Sequence, residues 1–205
     1  MLEQKMRLLL YRLRKEMNGA ALDTMRYFGA DYERNYGVQI YAIRNLAREI
    51  GCDHDLAEYF YRQNIREARL VALWIADAER VSAADFAFWA EGIINSEVAE
   101  QASHALLSRI SVVAELLEEW CASDSALLAY CALLSAARSG RVDGERAVDA
   151  ILAAVERFAD NRLVAQGATA LAINLSDEAV RSLLESAPEN PTTNLLREEI
   201  AWRLE

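Results

Sequence analysis

The stretch from Ser96 to Ser108 carries the densest set of groups that could do chemistry in this chain. Read as a helix, it puts Glu97, Glu100, Gln101, His104 and Ser108 on one polar stripe, because residues three and four apart are neighbours. Glu100 lies one turn before His104, so the two could share a hydrogen bond and act as an acid/base pair, with His104 titrating near neutral pH. The competing reading is a solvated helix face opposite Val98, Ala102, Ala105 and Leu106, the ordinary state of an amphipathic helix.

A second set is cationic. Arg44, Arg48, Arg62, Arg66 and Arg69 fall on successive helical segments and could line one edge of a groove as phosphate contacts. Surface pairing with Glu49, Glu58 and Glu67 would occupy the same residues. Seven of the 8 tyrosines lie within residues 1 to 61. Packing of the first helices with hydroxyls reaching water is expected of them, and stacking on nucleic acid is the alternative. Trp74, Trp120 and Trp202 read as core or capping residues, and Gly167 inside a helix implies close packing against a neighbour.

Several chemistries are excluded by what is missing. No Gly-rich phosphate loop, nucleophile elbow or carboxylate-rich metal loop is present, which removes nucleotide hydrolases and serine hydrolases. His54 and His104 are the only histidines, and no Cys or His pair has zinc-ligand spacing, so neither metal nor cofactor is expected. Cys52, Cys121 and Cys131 are an odd number in mostly apolar surroundings, which suits free, buried thiols in a reducing cytosol. The longest apolar run, from Ala126, is too short to cross a bilayer, and residues 1 to 15 lack the apolar core of a secretory signal. A cytoplasmic, non-membrane, monomeric protein is expected. The net charge of -10 is uneven: residues 1 to 70 hold 12 Lys+Arg against 10 Asp+Glu, and residues 71 to 205 hold 10 against 22. A basic surface for nucleic acid must therefore come mainly from the first third.

The elements that would position these residues are helices throughout. Hydrophobic content of 53% with only 2 Pro and 8 Gly argues against a turn-rich β architecture. Apolar residues recur at helical spacing from Leu2 to Met17, Ala20 to Phe28, Val38 to Ile50, Asp53 to Gln63 and Arg66 to Ala78. The last of these is apolar nearly all round and should be an inner helix. Ser82 with Asp85 forms a capping box before Phe86 to Ile94, and Ser96 opens a helix to Arg109. Ser111, Asp124, Asp143, Asn161, Ser176 and Thr192 or Thr193 are further expected caps. From Val38 onward the helices pair as 38 to 63, 66 to 94, 96 to 122, 124 to 159 and 161 to 187, units of the size that stack into solenoids. One domain is expected over 1–205, with N-terminal helices over 1–37, helix-pair repeats over 38–187 and a capping helix over 188–205.

The segment Asn35-Tyr36-Gly37-Val38-Gln39-Ile40-Tyr41-Ala42-Ile43-Arg44-Asn45-Leu46-Ala47 resembles the opening repeat of the DNA alkylation repair family, the HEAT-like repeat alkylpurine DNA glycosylases. Ile65-Arg66-Glu67-Ala68-Arg69-Leu70-Val71-Ala72 is similar to the start of that family's next helix pair, and Trp89 followed by Ser96-Glu97-Val98-Ala99-Glu100-Gln101 is similar to its catalytic segment. The resemblance, over residues 20 to 187, implies an all-α, right-handed superhelix of HEAT-like, armadillo-like antiparallel helix pairs whose concave face cradles duplex DNA. It also implies a carboxylate assisting hydrolysis of the glycosidic bond to an alkylated purine by stabilising an oxocarbenium-like sugar.

At the family's catalytic aspartate this chain has Glu100. The tryptophan one turn earlier falls on Ser96, the active-site arginine near Ala129 or Tyr130, and the second tryptophan near Ala170. Three of the four matched positions have lost their chemistry. The expected function is DNA binding within this family with catalysis weak or lost. The alternative is a non-catalytic helical scaffold whose acidic later repeats bind a basic protein.

Overall fold

The computed structural model describes residues 2–27 and 32–203, so Phe28, the expected end of the second helix, and the last two residues of the expected capping segment lie outside it. Among the described residues there are thirteen α-helices and four short 3-10 turns, with no strand. None of the helices is long and apolar enough to cross a membrane. The chain divides into two compact units, 1–80 and 81–205.

The first unit holds α1 (Leu2–Lys15), α2 (Gly19–Tyr27), α3 (Ile40–Ile50), α4 (His54–Tyr61) and α5 (Arg66–Ile75). Helix α1 buries Met6, Leu9 and Leu13 on one stripe, and α3 buries Ile43, Leu46 and Ala47 in the same way. Asp53 caps α4 by accepting from Leu56 N, as its position implies. Gly51 closes α3 at φ 78, a left-handed turn that a side chain would strain. Helix α5 packs against both α3 and α4 and buries nine of its ten residues, which makes it the inner helix that its all-round pattern calls for.

The second unit runs α6 (Phe86–Glu91), α7 (Ser96–Ala105), α8 (Val113–Cys121), α9 (Ala126–Ser139), α10 (Gly144–Arg157), α11 (Arg162–Ala172), α12 (Asp177–Ser186) and α13 (Pro191–Ile200). Here α7, α9, α11 and α13 pack in succession as one row. A second row is formed by α8, α10 and α12, and the rows join through α8 on α9 and α10 on α11. The alternation of two rows follows the rhythm of caps and links, but the helices that pack across the rows are α8 with α9 and α10 with α11, one helix out of register with the expected pairs 96 to 122, 124 to 159 and 161 to 187. Asp143, Asn161 and Ser176 cap α10, α11 and α12, and the Ser82–Asp85 capping box forms.

Three expected caps are displaced by one to three residues, and a fourth is absent. Asn95 rather than Ser96 caps α7, Ser125 rather than Asp124 caps α9, and Asn190 rather than Thr192 or Thr193 caps α13, with Pro191 in its first turn. Helix α8 begins after Val112 with no side-chain cap, so Ser111 plays no such part. Thr192 and Thr193 are instead fully buried, and the Thr192 hydroxyl ties α13 to the link between α10 and α11 by accepting from Asn161 N at 2.8 Å and donating to Phe158 O. Gly167 marks a close approach between two helices of this unit. A Cβ there would meet Leu133 Cβ at 3.1 Å and Tyr130 Cδ2 at 3.2 Å, so α11 lies directly on α9.

Candidate nucleic-acid interface

Two of the three segments that carry the sequence resemblance, 35 to 47 and 65 to 72, meet in space. Glu67, wholly buried on α5, accepts from the backbone N–H groups of Tyr36 and Val38 at 3.1 Å and 3.2 Å. Arg66, only 1% exposed, donates to the Val38 carbonyl at 2.9 Å and to Glu67 at 3.0 Å. Asn35 Oδ1 accepts from Gly37 N at 2.8 Å. Gly37 itself sits at φ 68, where a Cβ would stand 2.2 Å from the Asn18 carbonyl. These contacts latch the link before α3 onto α5 and α2. A buried cation is expensive unless it is paired and hydrogen-bonded, and here both conditions are met.

Arg66 is therefore a structural residue, and its expected role as a phosphate contact is corrected: a side chain with no solvent exposure presents no charge to DNA. Arg69 is 7% exposed and lies 5.8 Å from the Tyr61 ring, which also removes it from the surface. Periodicity missed this because a helix buried on all sides gives its arginines no polar side to occupy. The other three cations lie closer to solvent. Arg44 is half-buried, 4.9 Å over the Trp74 ring; Arg48 is exposed and donates to Asn45 Oδ1 at 2.9 Å; and Arg62 is exposed at the end of α4.

Glu100 stands exposed on α7 and accepts a 3.1 Å hydrogen bond from the Tyr130 hydroxyl on α9. Burial, reinforced by the Glu100 charge, pushes the Tyr130 phenol up to about 12, so it stays a neutral donor at physiological pH. Arg138, which donates to Ser103 Oγ, adds a cation whose field partly offsets that rise. The sequence had singled out neither this bond nor Arg138. His104 is exposed on α7. Ser96 and Ala170 are half-buried, and Ala129 is buried.

Of the remaining side chains singled out by type, Trp89 and Trp120 are core residues, with Trp89 meeting Phe88 edge-on at 4.9 Å. Trp74 is half-buried, whereas Trp202 is 64% exposed near the end of the described chain. Cys121 and Cys131 are buried, and burial pushes each thiol up to about 12, whereas Cys52 is exposed rather than packed away. The tyrosines divide. Tyr61 packs as expected, but Tyr11 (57% exposed), Tyr27 (85%) and Tyr41 (67%) stand out from the surface.

A family model described as DNA alkylation repair enzyme matches residues 9–174. The chain belongs to that family. The match spans both compact units and includes the Arg66–Glu67 latch and the Glu100–Tyr130 pair. A solved structure, described as a new family of proteins related to the HEAT-like repeat DNA glycosylases with affinity for branched DNA structures, aligns at a TM-score of 0.73. It is 17% identical, and the alignment covers 96% of this chain and 94% of that chain. The likeness shows a HEAT-like repeat fold. No curated protein matches the chain. Within the DNA alkylation repair family, this member has a carboxylate held by a phenol at the position the resemblance makes catalytic.

Proposed function

We propose that this member of the DNA alkylation repair family binds branched DNA and that its glycosidic-bond hydrolysis is weak or lost. The observation that carries the reading is the Glu100–Tyr130 hydrogen bond: an exposed carboxylate engaged by a neutral phenol. Stabilising an oxocarbenium-like sugar calls for a carboxylate preorganised in a site that excludes water, beside groups that hold the flanking phosphates. An exposed Glu100 meets the first requirement poorly, and a neutral Tyr130 holds no phosphate. The affinity for branched DNA ascribed to the solved relative supports the binding half. Arg44, Arg48 and Arg62 are the sequence-derived cations left near solvent to contact phosphate, and Glu100 with His104 is the acid/base pair for any residual hydrolysis.

Two measurements test the halves separately. Fluorescence anisotropy should give tighter binding to a fully paired four-way junction than to a linear duplex of equal length; equal affinities reject branched-DNA recognition. Methylated duplex incubated with the protein should release alkylpurine slowly or not at all. Fast release that is abolished by Glu100→Gln would instead establish Glu100 as a competent catalytic group.

The charge of the second unit favours a second reading, a scaffold for a basic protein. Residues 81 to 205 hold 9 Lys+Arg against 20 Asp+Glu, which repels phosphate and attracts a cationic partner. Tight junction binding with no protein recovered in pull-downs would reject it.

A further inference from the structure

Helix α1 turns two different faces outward and inward. Inward are Met6, Leu9 and Leu13; outward are Arg7, Leu8, Tyr11, Arg14 and Lys15, all exposed and all on one stripe, since they are spaced one, four, seven and eight residues from Arg7. The helix carries five Lys or Arg against the single acidic Glu3. Helix α3 presents a matching exposed stripe of Tyr41, Asn45 and Arg48. Between the two helices runs a groove of about 520 Å³, with Leu8, Tyr11, Arg12 and Lys15 on one wall and Tyr41, Asn45 and Glu49 on the other. That volume lies within the range of about 300–1,000 Å³ typical of small-ligand clefts.

The charges that line this groove cancel, and further cations lie beside it on the same helices. Within it, the Arg12–Glu49 ion pair joins α1 to α3 and cancels, and Lys15 balances Glu16, so the lining is neutral. Outside the lining but on the same two helices, Arg7 and Arg14 are exposed with no ion-pair partner among the described residues, and exposed Arg48 adds a third cation. Lys15 sits 4.5 Å over the Tyr11 ring, so a cation accompanies that aromatic plate. A charge-neutral groove with an exposed tyrosine on each wall, flanked by cations on the same two helices, matches a nucleic-acid strand that turns its bases toward the rings and its phosphates toward the cations. Bases inside a duplex are already stacked and cannot reach such plates, so the strand must be unpaired.

We infer that the α1–α3 groove binds unpaired DNA, with Tyr11 and Tyr41 as stacking plates for bases and Arg7, Arg14 and Arg48 as phosphate contacts. The inference rests on the branched-DNA reading, since a fork or an opened branch point supplies the unpaired strand, and it assigns that strand a seat of its own.

The test compares two labelled DNAs by fluorescence anisotropy, a fully paired four-way junction and a fork of the same duplex length with two unpaired oligothymidine arms. The fork is expected to bind more tightly than its arm-less duplex. Tyr11→Ala and Tyr41→Ala should each remove roughly tenfold of fork affinity, the order of loss for one stacked base. Junction affinity should be unchanged in both. Tyr11→Phe should retain the gain, because the ring and not the hydroxyl stacks. Tyr27→Ala, exposed on α2 away from the groove, serves as the control and should change nothing. The three tyrosines are exposed, so circular dichroism should report an intact fold in all four variants. An unchanged fork affinity in both alanine variants overturns the groove assignment while leaving junction recognition standing. Loss of junction preference in the unmutated protein overturns the branched-DNA reading, and it is read on a DNA that has no unpaired arm.

Discussion

The two compact units solve the same packing problem with opposite use of charge. Residues 1–80 hold 13 Lys+Arg against 12 Asp+Glu, and residues 81–205 hold 9 against 20. The first unit buries an ion pair, Arg66 with Glu67, and leaves cations and tyrosines on its surface. In the second, the buried polar side chains are Ser103, Ser108, Ser135, Thr192 and Thr193, and the acidic excess is left to its surface. Neutral hydroxyls can satisfy themselves on nearby carbonyls, as Ser135 does on Cys131 O at 2.7 Å, without the desolvation cost of an ion. Stacked helix pairs thus tolerate either an ionic or a neutral interior. What differs is the surface left over, which is cationic and aromatic on α1 and acidic across the second unit.

The contrast is broken most severely at the ionic latch. Glu67→Gln leaves Arg66 buried without a counter-charge and should lower stability by about 3–5 kcal/mol, measured by urea unfolding. A cap lost from the second unit, Asn161→Ala, should cost only about 1 kcal/mol in the same assay. Near-equal losses would mean the latch is no special feature of the first unit.

Next in size is the electrostatic division. Replacing both Arg7 and Arg14 by alanine should reduce the slope of log affinity against log salt for forked DNA by roughly 1.4, about 0.7 for each phosphate contact on an unpaired strand. The same exchange at Arg162 and Arg181 in the acidic unit should leave the slope unchanged. An equal reduction from both pairs would place DNA on the two units alike.

Tyr130→Phe removes one hydrogen bond to an exposed acceptor. It should cost about 1 kcal/mol of stability and leave junction affinity as it was. A marked fall in junction affinity would move the interface onto α7 and α9.

The smallest effect is a pH dependence confined to the first unit. Hydrogen bonds from Arg12 to Glu49 and from Lys5 to Asp53 hold both carboxyls below their ordinary values. A carboxyl depressed in the folded state contributes stability above its unfolded pKa and loses it as pH falls through the folded one. The stability lost on Lys5→Met should therefore be present at pH 7 and shrink as acid protonates Asp53. A difference that persists unchanged at pH 3 would show that Lys5 acts through its alkyl chain.

Much of the fold was legible because its signals are local. Val98, Ala102 and Ala105 at helical spacing, or Asp143 and Asn161 ahead of amphipathic runs, act within one turn of themselves, so the helices follow from the chain read in order. The displaced caps show the limit of that reading. Asn95 and Ser96 are equally able acceptors one residue apart, and only the path of the preceding link decides which one stops being helical.

The candidate site was less legible, for a physical reason that Arg66 and Tyr41 show from opposite sides. Residue type by itself determined that cations and aromatic rings cluster early in the chain, that acid accumulates later and that a carboxylate stands at position 100. Which arginine is buried and which tyrosine is exposed depends on what a neighbouring helix covers. Glu67 waits 29 residues from Val38, and the phenol that engages Glu100 comes from 30 residues away. Burial and partnership at such separations are properties of the packed helices, so only the tertiary structure could turn Arg66 into a latch and Tyr11 and Tyr41 into open surface.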